Sequence, residues 1–310
     1  MKTSGVVITP TGSVITGGSF LASTLNISDS NFINSNYSFS GKGSVTNEGT
    51  INSQGKVILV GQLVNNSGSI ASRSSASLVS GSLVLITPSG IMVSPSKGSV
   101  TNTGAIKAAS AYLTSAGGNV YALSGNTQGI IEATGSKTIN GQIWLTAPQG
   151  TVSVNSKLQA DGSITIFGNN TLVGPSSLIS VSGNGTIDVG LDKTKSLNTD
   201  ISSGASFSTG DNGLLDTSGE NLSIGNINVY VPNGQWLLDP TDFTVDTSNN
   251  SAIDTALGSG SVTITTTSSS ASATPSISNG TSNTGTTGSI DIAAPGYLYS
   301  RIDVNGIVCG

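Results

Sequence analysis

The side chains that usually carry catalysis are scarce in this chain. It has no histidine and a single cysteine, Cys309. Ser–His and Cys–His nucleophile systems are therefore excluded, as are an intrachain disulfide framework and a cysteine-based zinc site. The densest acidic group is Asp239, Asp242 and Asp246 in "DPTDFTVD". That spacing suits a hard cation such as calcium, but a complete site needs about six to eight oxygens. The competing reading makes Asp239 the residue before a proline turn, with the other two solvated or capping. Four aromatic residues, Trp144, Trp236, Tyr297 and Tyr299, have the faces needed to stack on sugar rings. Packing inside a coil or a cap is the alternative for each. No residue set points to a catalytic centre, a metal or a cofactor.

Composition narrows the class of partner. Of 310 residues only 9% are charged, and the formal net charge is −5. Two arginines, Arg73 and Arg301, and nine scattered lysines form no basic stripe, which argues against nucleic acid. Aromatic residues, at 5%, are too few and too dispersed for base-stacking platforms. Low charge often signals disorder, but disordered chains lack β-branched residues. Here Val, Ile and Thr recur in short alternating runs, which suit a pleated surface. The opening "MKTSGVVITPTGSVITGG" has no apolar core of a signal peptide, and no apolar run approaches the ~20 residues of a membrane-spanning helix.

These runs belong to a repeat. The phrase V-x-N-x-G-x-I occurs at Val45/Asn47/Gly49/Ile51, Val64/Asn66/Gly68/Ile70 and Val100/Asn102/Gly104/Ile106, with a degenerate copy at Gly129/Ile131. The glycines are spaced 19, 36 and 25 residues apart. Steps of 19 and 25 match one coil of a β-solenoid, and 36 is either two short coils or one coil with an insert. Apolar residues alternate, without the i, i+3, i+4 spacing of helical repeats. The expectation is an all-β parallel β-helix with coils stacked one strand spacing apart. Stacking gives the asparagines a purpose. Asn47, Asn66 and Asn102 would form a column whose amides donate and accept along the axis. Glycine is expected at corners that need positive φ.

Three longer stretches then carry a resemblance. "GGSFLASTLNISDSNFINSNYSFSGKGSVTNEGTI" (17–51), "AGGNVYALSGNTQGIIEATG" (116–135) and "GQWLLDPTDFTVD" (234–246) resemble, in order, phrases of two-partner secretion exoproteins of the filamentous haemagglutinin type. The resemblance implies a right-handed parallel β-helix, secreted or held at the surface of a Gram-negative bacterium. It also implies an outer-membrane transporter as partner and a role as adhesin or stalk. Members of that family begin with a cleavable signal and a cap bearing an asparagine-proline-asparagine phrase, neither of which is seen here. On this resemblance the chain is a fragment of a larger exoprotein or a decayed reading frame, with the parts that engage the transporter missing or degenerate. Because a solenoid end without a cap exposes strand edges and interior, its N-terminal end is expected to be open and prone to self-association.

Along the chain, residues 1–235 read as coils and 236–310 as a following β-rich module. A low-complexity excursion is expected over 265–288, before a last strand in "SIDIAAP". The stretch 191–225 is less regular and more acidic, and reads as weak coils or a loop. "SAIDTAL" is the single plausible helix, with Ser251 as N-cap and Gly258 at its end. Two functions of different class follow: a non-enzymatic adhesive or structural segment, or a β-helical polysaccharide lyase or hydrolase. A close carboxylate pair on one face would favour the second, and unbroken Asn, Ser and Thr columns the first.

Overall fold

The computed structural model describes residues 5–87, 90–124, 129–136, 141–192, 194–243, 245, 247–265 and 290–293. The chain divides into two compact units, 1–159 and 160–310. Both are parallel β-helices.

In the N-terminal unit every coil lays strands on three faces in turn. The first face stacks Val6–Ile8, Ser44–Asn47, Leu63–Asn66, Ser99–Asn102 and Asn119–Leu123 in parallel. The second stacks Ser13–Thr16, Thr50–Ser53, Ser69–Ser72, Ala105–Ala108 and Ile131–Ala133. The third stacks Phe20–Ser23, Val57–Gly61, Ser75–Ser80, Ser110–Ser115 and the start of Gln142–Asn155. The repeat phrase sets this register. Val45 lies against Val64 and Val64 against Val100, while Ile51, Ile70, Ile106 and Ile131 align on the next face.

Alternation sends one side of each strand inward. Val45, Val64, Val100 and Val120 are wholly buried, as are Leu59, Leu78, Leu113 and Leu145 on the third face. Each such side chain contributes about 1.5–3 kcal/mol relative to exposure, so like-on-like columns supply most of the stability of the stack.

The 36-residue step is one coil with an insert. Chain leaves the third face after Ser80, forms the hairpin Leu83–Thr87 and Gly90–Val93, and returns at Ser99. A first insert leaves the same face after Ser23 and carries the strand Tyr37–Ser40, which pairs antiparallel with Leu83–Thr87. Leu25, Phe39 and Val84 of these inserts pack on Val60 and Val79 of the coil as a satellite core. The first insert also holds a short helix, Asp29–Ile33, with Ser28 as its cap, so "SAIDTAL" is not the single helix. Five residues in a polar run are too few to show a helical period.

The repeat glycines correct the expectation about corners. Positive φ occurs at Gly129 (57°) but at none of Gly49, Gly68 and Gly104. Those three are demanded by close approach. The Gly49 carbonyl accepts from Ser69 N–H (2.8 Å) and the Gly68 carbonyl from Ala105 N–H (2.9 Å). A Cβ on Gly68 would overlap the Gly49 carbonyl oxygen, and one on Gly104 the Gly68 oxygen.

The C-terminal unit repeats the scheme with other residues. Ile164, Ile187, Leu215, Trp236 and Val262 form one interior column, Val173, Ile201 and Ile224 a second, and Ile179, Phe207 and Val229 a third. The acidic stretch is regular coil: Asn198–Ile201, Ser206–Ser208 and Leu214–Ile224 all pair in parallel with their neighbours. The strand Gln235–Asp242 spans the 235/236 position, pairing with 214–221 on one side and 261–264 on the other. Helix Asn250–Leu257 packs on Asn228–Tyr230 through Ala252, Ile253, Ala256 and Leu257. Its N-cap is Asn249, not Ser251, which stands exposed inside the first turn; Gly258 ends it as expected. The last strand among the described residues is Ile290–Ala293, paired with Ser261–Thr265. The low-complexity segment expected over 265–288 lies, beyond Thr265, outside the described residues.

Because the glycine corner admits no Cβ, Gly68→Ala is expected to destabilise the protein by about 1–3 kcal/mol, the range for forced overpacking. Denaturant unfolding measures this. A midpoint unchanged from the parent would show that the corner relaxes freely.

Candidate functional site

A buried asparagine column stands at the corner between the first and second faces of the N-terminal unit. Asn47, Asn66 and Asn102 end three consecutive strands of the first face, at paired register positions. Alternation turns all three side chains inward, and they are at most 1% exposed. Asn47 Nδ2 donates to Asn66 Oδ1 at 2.7 Å, and Asn66 Nδ2 to Asn102 Oδ1 at 2.7 Å. Asn102 Nδ2 closes on the Gly104 carbonyl at 3.0 Å. The backbone joins in: the Asn47 carbonyl accepts from Ser67 and Gly68 N–H, and that of Asn66 from Thr103 and Gly104 N–H. The column stops where its neighbours turn apolar. Asn47 stacks on Ile8 and Asn102 on Ala122, and Asn47 Oδ1 is left buried without a donor.

A second column was missed in the sequence. In the C-terminal unit Asn170, Asn198 and Asn221 align in register. Asn198 Nδ2 donates to Asn170 Oδ1 at 2.7 Å and Asn221 Nδ2 to Asn198 Oδ1 at 3.1 Å. Here each later coil donates to the earlier one, the reverse of the first column. The signal was present as "GNNT", "LNT" and "ENL", but no shared flanking phrase marked it. These amides lie partly in solvent and do not seal a core.

The same unit stacks carboxylates. Asp188 and Asp216 are register partners on adjacent coils. Burial is the main cause that pushes Asp188 up from the ordinary 3.8 to about 6; the Asp216 charge adds to it, and the Leu191 N–H, at 3.0 Å, opposes it. Asp216 is also raised, again mainly by burial, with the charges of Asp239 and Asp192 adding and the Ser218 hydroxyl opposing. Asp239 accepts from Thr265 Oγ1 at 2.8 Å. Asp242 ends its strand with its side chain outside the described set, and Asp246 lies wholly outside it. Among the described residues no group of three or more acidic, His or Cys side chains is placed to hold a metal.

The aromatic candidates separate. Trp236 is wholly buried in the interior column, its indole Nε1 donating to Thr217 Oγ1 at 3.0 Å. It therefore offers no face to a glycan. Trp144 points outward from the third face of the N-terminal unit, 38% exposed, in register with Tyr112 on the preceding coil. Tyr297 and Tyr299 lie outside the described residues, as does Cys309. No described helix is long and apolar enough to cross a membrane.

Comparisons with known proteins place the fold. No protein-family model matches the chain, and no curated protein matches it. Among solved structures it is similar to the secretion domain of HMW1 from Haemophilus influenzae. That match has a TM-score of 0.52 at 19% identity and covers 94% of this chain and 77% of that one. At such identity the likeness concerns the fold, a parallel β-helix.

Two outcomes follow from the polar columns. Asn66→Ala removes the donor to Asn102 Oδ1 and leaves Asn47 Nδ2 with just its long 3.4 Å bond to the Ser69 carbonyl, and an unsatisfied buried group costs about 1–3 kcal/mol. A clear drop in denaturant midpoint is expected, and a smaller one for Asn198→Ala in its wetter column. Equal losses for both would contradict the burial difference. The Asp188 carboxyl titrates higher in the folded than in the unfolded chain, so the native state binds more protons between about pH 4 and pH 6. Stability is then retained at low pH and lost as pH rises through that window. A higher Tm at pH 5 than at pH 7.5 is expected, with Asp188→Asn narrowing the gap by raising the pH 7.5 value.

Proposed function

We propose that this chain is a non-enzymatic segment of a bacterial two-partner secretion exoprotein, carried across the outer membrane by a dedicated transporter and acting outside the cell as an adhesin or its stalk. The carrying observation is the fold likeness to the HMW1 secretion domain over 94% of the chain. The three phrases at 17–51, 116–135 and 234–246 add to it, since they resemble filamentous haemagglutinin-type exoproteins. The chemistry suits the role. A stack held by backbone ladders, apolar columns and neutral amides depends little on charge, and a surface rich in Ser, Thr and Asn stays soluble without it.

One observation favours the second reading. Asp188 and Asp216 are the close carboxylate pair that a polysaccharide lyase or hydrolase needs, both pushed up by burial. That pair has no cationic neighbour among its perturbing groups, and two raised carboxyls do not divide into an acid and an ionised base. The adhesive reading is preferred.

The test is secretion and binding. The chain is expressed with and without a two-partner secretion transporter of the outer membrane, and the purified protein is applied to immobilised host cells and matrix. Transporter-dependent release into the medium and saturable binding are expected. Release without the transporter would sink the secretion reading. Depolymerisation of a polysaccharide by the parent chain, lost in Asp188→Asn and Asp216→Asn, would replace the adhesive one.

A further inference from the structure

The inserted hairpin does not close completely on the coil. Between Gly90–Val93 and the third face of the N-terminal unit lies a cavity of about 350 Å³, in the lower range of small-molecule sites. Its polarity changes along the strands. At the strand starts the wall is made by Lys56, Ser75 and Ser110, with Ser75 and Ser110 in register on adjacent coils. Ser77 and Tyr112, also paired, come next. At the far end the wall is Val79 and its register partner Thr114, with Ile86, Ile91 and Val93 of the hairpin.

Two details mark the polar end as a place for a ligand. Ser110 is only 4% exposed although its strand position faces the cavity, and its Oγ has no hydrogen-bond partner. The Lys56 ammonium stands in no ion pair among the described residues, and no carboxylate lines the cavity. A buried hydroxyl without a partner and a free cation at one end of a mainly apolar slot complement an anionic head on an apolar body.

We propose that this cavity binds a medium-chain fatty acid. The carboxylate pairs with Lys56 and accepts from Ser110 Oγ, and the alkyl chain runs past Tyr112 to the Val79, Ile86 and Ile91 end. From Ser75 to Val79 the strand covers roughly 13 Å at ~3.3 Å per residue, which suits an acyl chain of that class. A sugar fits less well. Its hydroxyls are donors that seek carboxylate or amide acceptors, and the lining residues include none. The site is independent of the secretion reading.

The probe is sodium decanoate below its micelle concentration, titrated calorimetrically into the full chain. Saturable one-to-one binding is expected. Lys56→Met should weaken it at least tenfold without moving Tm, and Ser77→Leu, which fills the slot, should abolish it while circular dichroism stays that of the parent. Decanol should bind at least tenfold more weakly than decanoate. The proposal is overturned if decanoate shows no saturable binding, if Lys56→Met and Ser77→Leu both bind like the parent, or if a neutral monosaccharide binds in preference to decanoate.

Discussion

The constraint beneath every other feature is that each coil lies one strand spacing, roughly 4.8 Å, from the next. At that distance a residue's nearest neighbours are the residues at its own position above and below. Like side chains therefore meet, and a position is stable only if its occupant packs or bonds with itself. Valine, isoleucine and leucine satisfy this inside, asparagine at the corner, and glycine where the preceding carbonyl leaves no room for a Cβ. A charge fails the condition. The Asp188–Asp216 stack shows the cost: burial, with the Asp216 charge adding to it, raises the affinity of the Asp188 carboxyl for protons.

How much of this could be read in advance followed from the same rule. The columns Val45/Val64/Val100 and Ile51/Ile70/Ile106/Ile131 repeat a visible phrase, so register, parallel pairing and the amide ladder were all legible. The reason for the glycines was not, since close approach and positive φ select the same residue. The hairpin at 83–93 was hidden inside an ambiguous 36-residue step, because an antiparallel insert obeys its own alternation and not that of the coil. Trp236 was ambiguous for a related reason. Alternation says that it shares a side with Leu238, but only the stack shows that this side is the interior.

The two amide columns differ in direction and in wetness, and the difference has a physical basis. In the N-terminal unit the amides are sealed, so each must satisfy its neighbour, and the first is left with an unused acceptor beside Ile8. In the C-terminal unit the amides reach solvent, which can complete whatever the ladder leaves open. The buried column thus contributes both stability and discrimination between registers, and the wet one mainly lateral cohesion.

Both inserts in the N-terminal unit leave at the end of the third face and rejoin at the start of the first. The corner holding Asn47, Asn66 and Asn102 stays short in all three of those coils, and it lengthens where another residue takes the asparagine's place, after Ile8 and after Ala122. The coil therefore has a closed hinge line on one side and a seam on another. Foreign sequence spliced at the seam leaves the stacking columns untouched, so a coil stack of this design can acquire new surface decorations without relearning how to fold.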